Sequence, residues 1–253
     1  VAVSSEGSLA VFSYSGNLLA PYPIIPTETL FISSPVLIDL TADGLSEIAV
    51  LGEANGIVTL YAYSGAAGTV LASVQLPAAP ADSETYFDPF AANLDNVGPE
   101  EIIVTTTNGT ILSFSYQNGT FTSSSLLTLG QPVSVAISET RRMAYVTYQQ
   151  TNRLEVYSVG PQNWTLLRTV TLSEGIIYPL VLNPENDIAY GIGRTRRLIA
   201  FNTVSGQVQS GFPVRLWAEA VGAPLLTDSD NSNPGNELVV PLSNGETSVL
   251  SLY

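Results

Sequence analysis

Hydrophobic positions in this chain fall in short runs, each cut off within a few residues by Gly, Pro, Asn or Ser. Five runs open on proline, at Pro35, Pro89, Pro132, Pro179 and Pro224, with spacings of 54, 43, 47 and 45 residues. Proline is tolerated at the first residue of a strand, where its missing N–H need not serve the ladder, so each marks the entry to a strand, A. A second run follows each: Ile48–Val50, Ile102–Val104, Ala144–Val146, Ile188–Tyr190 and Leu238–Val240. Short β-branched runs bounded by turns predict strands, B, that are buried on both faces, as in a stack of sheets. A glycine turn then leads to strand C, in Gly56–Tyr63 and Gly109–Tyr116, and the chain opens on the same pattern in Gly7–Tyr14. The pairs Phe12/Tyr14, Tyr61/Tyr63 and Phe114/Tyr116 each occupy one face of strand C by period-two alternation, which assigns them to packing between sheets. Polar glycine turns, Ser64-Gly65 and Asn118-Gly119, introduce an outer strand, D.

Four antiparallel strands repeated at this period predict an all-β chain, a β-propeller of about six four-stranded blades in a single domain over residues 1–253. The B/C hairpins start near residues 1, 48, 102, 144, 188 and 238. A pair of face-to-face sheets is the other all-β arrangement, and it predicts no such period. The order of elements leaves the terminal blades incomplete, with strands B, C and D at the start and A, B and C at the end. A longer parent chain, tolerated short blades, or a strand donated by another chain would each account for that pattern.

The charge balance narrows the chemistry. Cys, His and Lys are absent, which removes disulfides, Cys/His zinc sites and every imidazole-based triad. The net charge of −14 makes nucleic acid and anionic membranes poor partners, and no apolar run is long enough to insert in a bilayer. Residues 1–140 hold 13 acids and no base, whereas all eight arginines lie between Arg141 and Arg215. Such polarity favours association between copies, against a background reading of a merely solvated surface. Three N-x-S/T sequons, at Asn108, Asn118 and Asn163, fall at predicted turns and favour an extracellular or cell-surface location.

One turn between strands A and B carries metal chemistry. Asp39, Thr41, Asp43, the Leu45 carbonyl and Glu47 stand at positions 1, 3, 5, 7 and 9 of a tight loop, with Gly44 allowing the sharp turn. Oxygen donors converging in that pattern suit a hard cation, Ca²⁺ before Mg²⁺. The competing reading is a metal-free Asx turn in which Asp39 and Asp43 accept backbone N–H bonds. Weaker versions recur at Asn93, Asp95 and Glu101, and at Asp228, Asp230 and Glu237, so one to three calcium sites are expected. Asn183, Glu185 and Asp187 read as a solvated turn, and Ala136 and Thr140 exclude a site in the blade that holds them.

The segment Ser34-Pro35 through Asp39, Asp43-Gly44 and Glu47-Ile48, with its counterparts near 87–119 and 222–253, resembles the FG-GAP/VCBS repeats of integrin-type propellers. Ala20-Pro21-Tyr22-Pro23 and Gly211-Phe212-Pro213-Val214 are similar to the closing segment of such blades. The resemblance implies a calcium-braced propeller, while the blades holding Arg141-Arg142 and Arg194–Arg197 depart from the pattern. The expected role is non-catalytic, an extracellular adhesion or assembly module or a subunit of a surface polymer, with its own copies, other surface proteins or glycans as partners. The alternatives are a lectin-like propeller using Trp164 and Trp217 as stacking platforms, and a glycoside hydrolase or lyase working with two carboxylates.

Overall fold

A computed structural model describes residues 2–3, 7–13, 15–77, 87–131, 133–148, 150–183, 186–227 and 236–252. Its strands form six antiparallel sheets in chain order. The first pairs β1 (Ala2–Val3) with β2 (Leu9–Ala10). The second contains β3 (Leu30–Phe31), β4 (Val36–Ile38), β5 (Glu47–Ala54), β6 (Ile57–Tyr63) and β7 (Val70–Gln75). The third contains β8 (Phe90–Ala92), β9 (Glu101–Thr105), β10 (Thr110–Gln117) and β11 (Thr120–Thr128).

The fourth sheet is β12 (Val133–Ser138), β13 (Met143–Tyr148), β14 (Arg153–Val159) and β15 (Trp164–Thr171). The fifth is β16 (Val181–Leu182), β17 (Ile188–Gly193), β18 (Arg197–Asn202) and β19 (Val214–Arg215). The last, among the described residues, has three strands: β20 (Leu225–Thr227), β21 (Glu237–Pro241) and β22 (Thr247–Ser251). The chain divides into two compact units, residues 1–130 with 160–163, and residues 131–159 with 164–253.

Within each unit, alternate residues of one strand enter different cores. In the first unit Ile48 and Val50 of β5 pack with Leu9, Tyr22, Phe31 and Tyr63, while Ala49 and Leu51 pack with Ile102, Val104 and Phe114 of the next sheet. In the second unit Ala189, Ile199 and Phe201 pack against Tyr145, Leu154 and Val156, while Tyr190, Ile192, Leu198 and Ala200 pack against Leu238 and Val240. A sheet apolar on both faces must be covered on both faces, and the neighbouring sheets of the unit do so. This is the arrangement the strand B pattern predicts, and the C-strand aromatics Tyr63 and Phe114 serve it as buried inter-sheet residues.

Three strand details differ from expectation. Strand A of the second sheet is broken: β3 and β4 both pair with β5, and between them Ser33 turns its hydroxyl to accept the Leu51 N–H at 2.9 Å. The opening C strand is shorter than Gly7–Tyr14, with two ladder residues and a lone bridge from Phe12 to Leu18, and Tyr14 lies outside the described residues. Behind Pro179 only Val181–Leu182 pairs. The Pro132 entry lies outside the described residues. The Asn55-Gly56 turn behaves as its residues demand, both in the left-handed region with φ of 53° and 78°, the type I′ geometry that matches strand twist. Tyr22-Pro23 and Phe212-Pro213, the two blade-closing segments, both contain cis peptide bonds.

Candidate functional site

The turn between β4 and β5 carries the Asp39–Glu47 donor set. Its Ala42 and Gly44 both have positive φ, of 57° and 83°, which tightens the loop around its own amides. Asp39 accepts the Asp43 N–H at 3.2 Å on one oxygen and the Gly44 N–H at 2.9 Å on the other. Asp43 accepts the Leu45 N–H at 2.8 Å. Glu47, 5% exposed, turns back to accept the N–H groups of Leu40 and Thr41 at 2.8 and 3.3 Å. Burial pushes the Glu47 carboxyl above its usual range; those two N–H bonds oppose the shift, and the Asp43 and Asp39 charges add to it. Leu45, placed at the carbonyl position, holds its side chain in solvent at 61% exposure.

The turn between β8 and β9 repeats this with one acid fewer. Glu101 accepts the Leu94 N–H at 2.8 Å, Asn93 accepts from Asp95 and Asn96, and Asp95 accepts from Val97. The shared feature is a buried Glu opening strand B whose carboxylate holds the second residue of the preceding turn. Glu237 opens β21 in the same way and is 2% exposed, while Asp228 and Asp230 lie outside the described residues.

Three loop carboxylates accept backbone N–H groups, and among the described residues no three acidic side chains gather as a metal-holding group. The arrangement in place is an Asx turn, whose Asp39 and Asp43 oxygens keep lone pairs that a cation could share with the amides they hold.

The loops of the second unit use guanidinium groups instead. Arg141, in the turn between β12 and β13, forms an ion pair with Asp187 of the turn between β16 and β17. Asp187 thus takes a cation from the neighbouring sheet while its side chain stays 43% exposed; Glu185 lies outside the described residues. Beside this pair is a water-sized cavity of about 10 Å³ lined by Arg141, Asn183, Asn186 and the buried Thr203.

A second cationic cluster occupies the β17–β18 hairpin and its neighbour β19. Arg194 and Arg196 are exposed, Arg197 is half-buried, and Arg215 lies directly opposite Arg197 across the ladder. Glu174, 8% exposed, ties the tip down by pairing with Arg197 at 2.7 Å and accepting from the Thr195 hydroxyl and N–H.

Two further constellations had no signal in the strand pattern. Glu155 of β14, 7% exposed, accepts hydrogen bonds from the hydroxyls of Tyr148 and Tyr157, and the Arg153 guanidinium lies 4.0 Å over the Tyr148 ring. Burial first, then the hydrogen bond to Glu155, pushes Tyr148 up to about 12 and moves Tyr157 upward as well. The second is Trp217, 60% exposed, whose indole N–H donates to Glu246 at 3.0 Å. Trp164 is not available as a stacking platform: it is 7% exposed and packs beside Tyr157 because β15 turns it into the sheet stack. Of the sequon residues, Asn118 and Asn163 are exposed, whereas Asn108 is half-buried with its carbonyl held by Thr106 and Thr110.

Within each unit neighbouring sheets pack face to face, and solved structures superpose on the chain. Sqt1 of Saccharomyces cerevisiae superposes with a TM-score of 0.67 at 14% identity, over 99% of this chain and 68% of that one. The Dos1 propeller gives 0.60 at 13%, over 96% and 62%. This chain is a β-propeller. A chain of the mitotic checkpoint complex gives 0.67 at 14% identity, over 100% of this propeller and 72% of that chain. These neighbours are of the WD40 type, and identities this low speak for the fold alone. No protein-family model and no curated protein matches the propeller's sequence.

Proposed function

We propose that this propeller is a non-catalytic, extracellular assembly module whose partners include its own copies. The observation that carries the reading is the segregation of charge: half of its arginines crowd one hairpin and the adjoining strand, while residues 1–140 hold 13 acids and no base. Glu174 already offsets Arg197, which leaves Arg194, Arg196 and Arg215 as the positive charge that a docked carboxylate surface would offset. A second copy brings the acid-rich residues 1–140 as a source of such carboxylates. Solved neighbours that sit in complexes, such as the chain of the mitotic checkpoint complex, support a protein partner by analogy of fold. The absence of His, Lys and Cys supports a role without catalysis.

The extracellular location draws on the exposed Asn118 and Asn163 sequons. Kinship with FG-GAP/VCBS propellers rests on the Ser34–Ile48 motif and its weaker copies. Calcium belongs to this proposal at the Asp39–Glu47 loop, where Asp39 and Asp43 act on the buried Glu47 with charges that a cation would offset.

Sedimentation velocity over a concentration series at low and high salt tests the assembly reading. Self-association that weakens with salt, and is lost in the triple variant R194E/R196E/R215E, is the expected result. A monomer at every concentration and salt, or association untouched by the triple variant, overturns it.

A further inference from the structure

We propose that Trp217 and the side chains fixed around it form a binding site for a neutral sugar ring. The ring is large, apolar and out in solvent, at 60% exposure, on the segment that follows β19. A tryptophan is ordinarily drawn into a core, as Trp164 is at 7%. Trp217 is instead held outward by contacts that have no other evident use.

Its indole N–H donates to Glu246 Oε2 at 3.0 Å, and the same oxygen accepts from Asn244 Nδ2 at 2.9 Å. Asn244 Oδ1 in turn accepts the Glu246 N–H at 3.2 Å. Backbone bonds from Leu242 to Glu246 at 3.0 Å and from Gly245 to Leu242 at 3.1 Å close the β21–β22 turn that carries both residues. The Ser243 N–H reaches the Glu219 carbonyl at 2.8 Å and ties this turn to the tryptophan's own segment. The ring's one polar group is therefore satisfied internally, and its orientation is set before any ligand arrives. A rigid aromatic of this kind loses little conformational entropy on binding.

The groups around the ring select the ligand. Exposure alternates along the segment, with Arg215, Trp217 and Glu219 outward and Leu216 and Ala220 buried. A guanidinium and a carboxylate thus flank the ring in sequence, and Glu246 and Asn244 stand at its N–H edge. A protein hot spot calls for an apolar centre sealed from water, whereas charged and amide groups bordering an aromatic face suit a molecule with one apolar face and a rim of hydroxyls. A pyranose is such a molecule: its C–H face covers the ring and its hydroxyls donate to Glu219 and Glu246 and accept from Arg215 and Asn244. Two carboxylates against the one Arg215 guanidinium leave the site net negative, which disfavours uronic or sialic acids, so the class is neutral sugar.

Tryptophan emission reads the site directly, because Trp217 is exposed and Trp164 is not. Titration with mannotriose, maltotriose and diacetylchitobiose, at a salt concentration that dissociates any self-assembly, is expected to shift emission to the blue with at least one of them. The W217A variant should lose the shift and bind at least about tenfold more weakly by calorimetry, with W217F intermediate. E246Q, which loosens the ring without removing it, should weaken binding less than W217A. No shift and no heat with any of the three overturns the proposal, as does binding that survives W217A or a uronate oligosaccharide bound as tightly as the neutral ones. Loss of self-association in W217A without any sugar binding would make the ring a protein contact and overturn it as well. Because the sugar assay is run on dissociated protein, its outcome is independent of the assembly reading.

Discussion

Replacing Glu155 with alanine removes the acceptor shared by two tyrosine hydroxyls that have no access to water. Tyr148 is 0% and Tyr157 4% exposed, so both hydroxyls stay buried and lose their shared acceptor, but they also hydrogen-bond each other. One donor is then left unsatisfied, and an unsatisfied buried polar group costs about 1–3 kcal/mol. Arg153 adds little, because its Nε stands 3.5 Å from the carboxylate without a hydrogen bond and the side chain is 41% exposed. A loss of that size is a large share of the ~5–15 kcal/mol that holds a domain together. Urea unfolding at neutral pH, followed by tyrosine and tryptophan signals, measures it. The sharper check is the cycle with Tyr148→Phe. In the parent, Y148F deprives a buried carboxylate of a donor and should cost about 1.5–3 kcal/mol; in the E155A background only the bond with the Tyr157 hydroxyl is lost, so the cost should fall to about 0.5–1.5 kcal/mol. E155A costing under about 1 kcal/mol, or Y148F costing the same in both backgrounds, would refute the reasoning.

Four other outcomes are expected. A Cβ on Gly193 would lie 2.4 Å from the Glu174 carboxylate, so G193A should expel Glu174 from Arg197 and Thr195 at a cost of about 2–4 kcal/mol. G56A has nothing within 4 Å of its new methyl and should cost only about 1 kcal/mol, for its φ of 78°; equal losses in denaturant midpoints would contradict this. Alkali should destabilise: burial raises Tyr63 and Tyr148 to about 12, so the unfolded chain, titrating near the ordinary value of 10, releases protons that the folded chain keeps. The tyrosine contribution is then level below about pH 10 and falls between about pH 10 and 12, by at most roughly 3 kcal/mol per tyrosine, and a flat midpoint across that window would be inconsistent with it. Calcium at millimolar concentration should raise the melting temperature of the parent over that in chelator and leave the D39N/D43N variant unmoved; a parent indifferent to calcium would leave the loop as a hydrogen-bonded turn.

The blade period was legible in the chain because a strand's alternation is local. Ile48-Ala49-Val50-Leu51 is apolar at every position, and only a strand covered on both faces asks for that. The Asn55-Gly56 turn needs nothing beyond its two residues. The acidic turn was half legible: positions 39, 43 and 47 stood out, but whether their oxygens face a shared point or their own amides depends on how the loop closes.

What the residues by themselves determined is the repeat, its turns and its two-sided burial, together with the exclusion of imidazole, amine and thiol chemistry. Tertiary structure alone decided which long-range partners meet. Asp187 receives Arg141 from 46 residues away, Trp217 finds Glu246 at a separation of 29, and Trp164 turns inward where Trp217 stays out. Such pairings are set by how sheets stack and where hairpin tips land, and a period-two pattern holds no record of either.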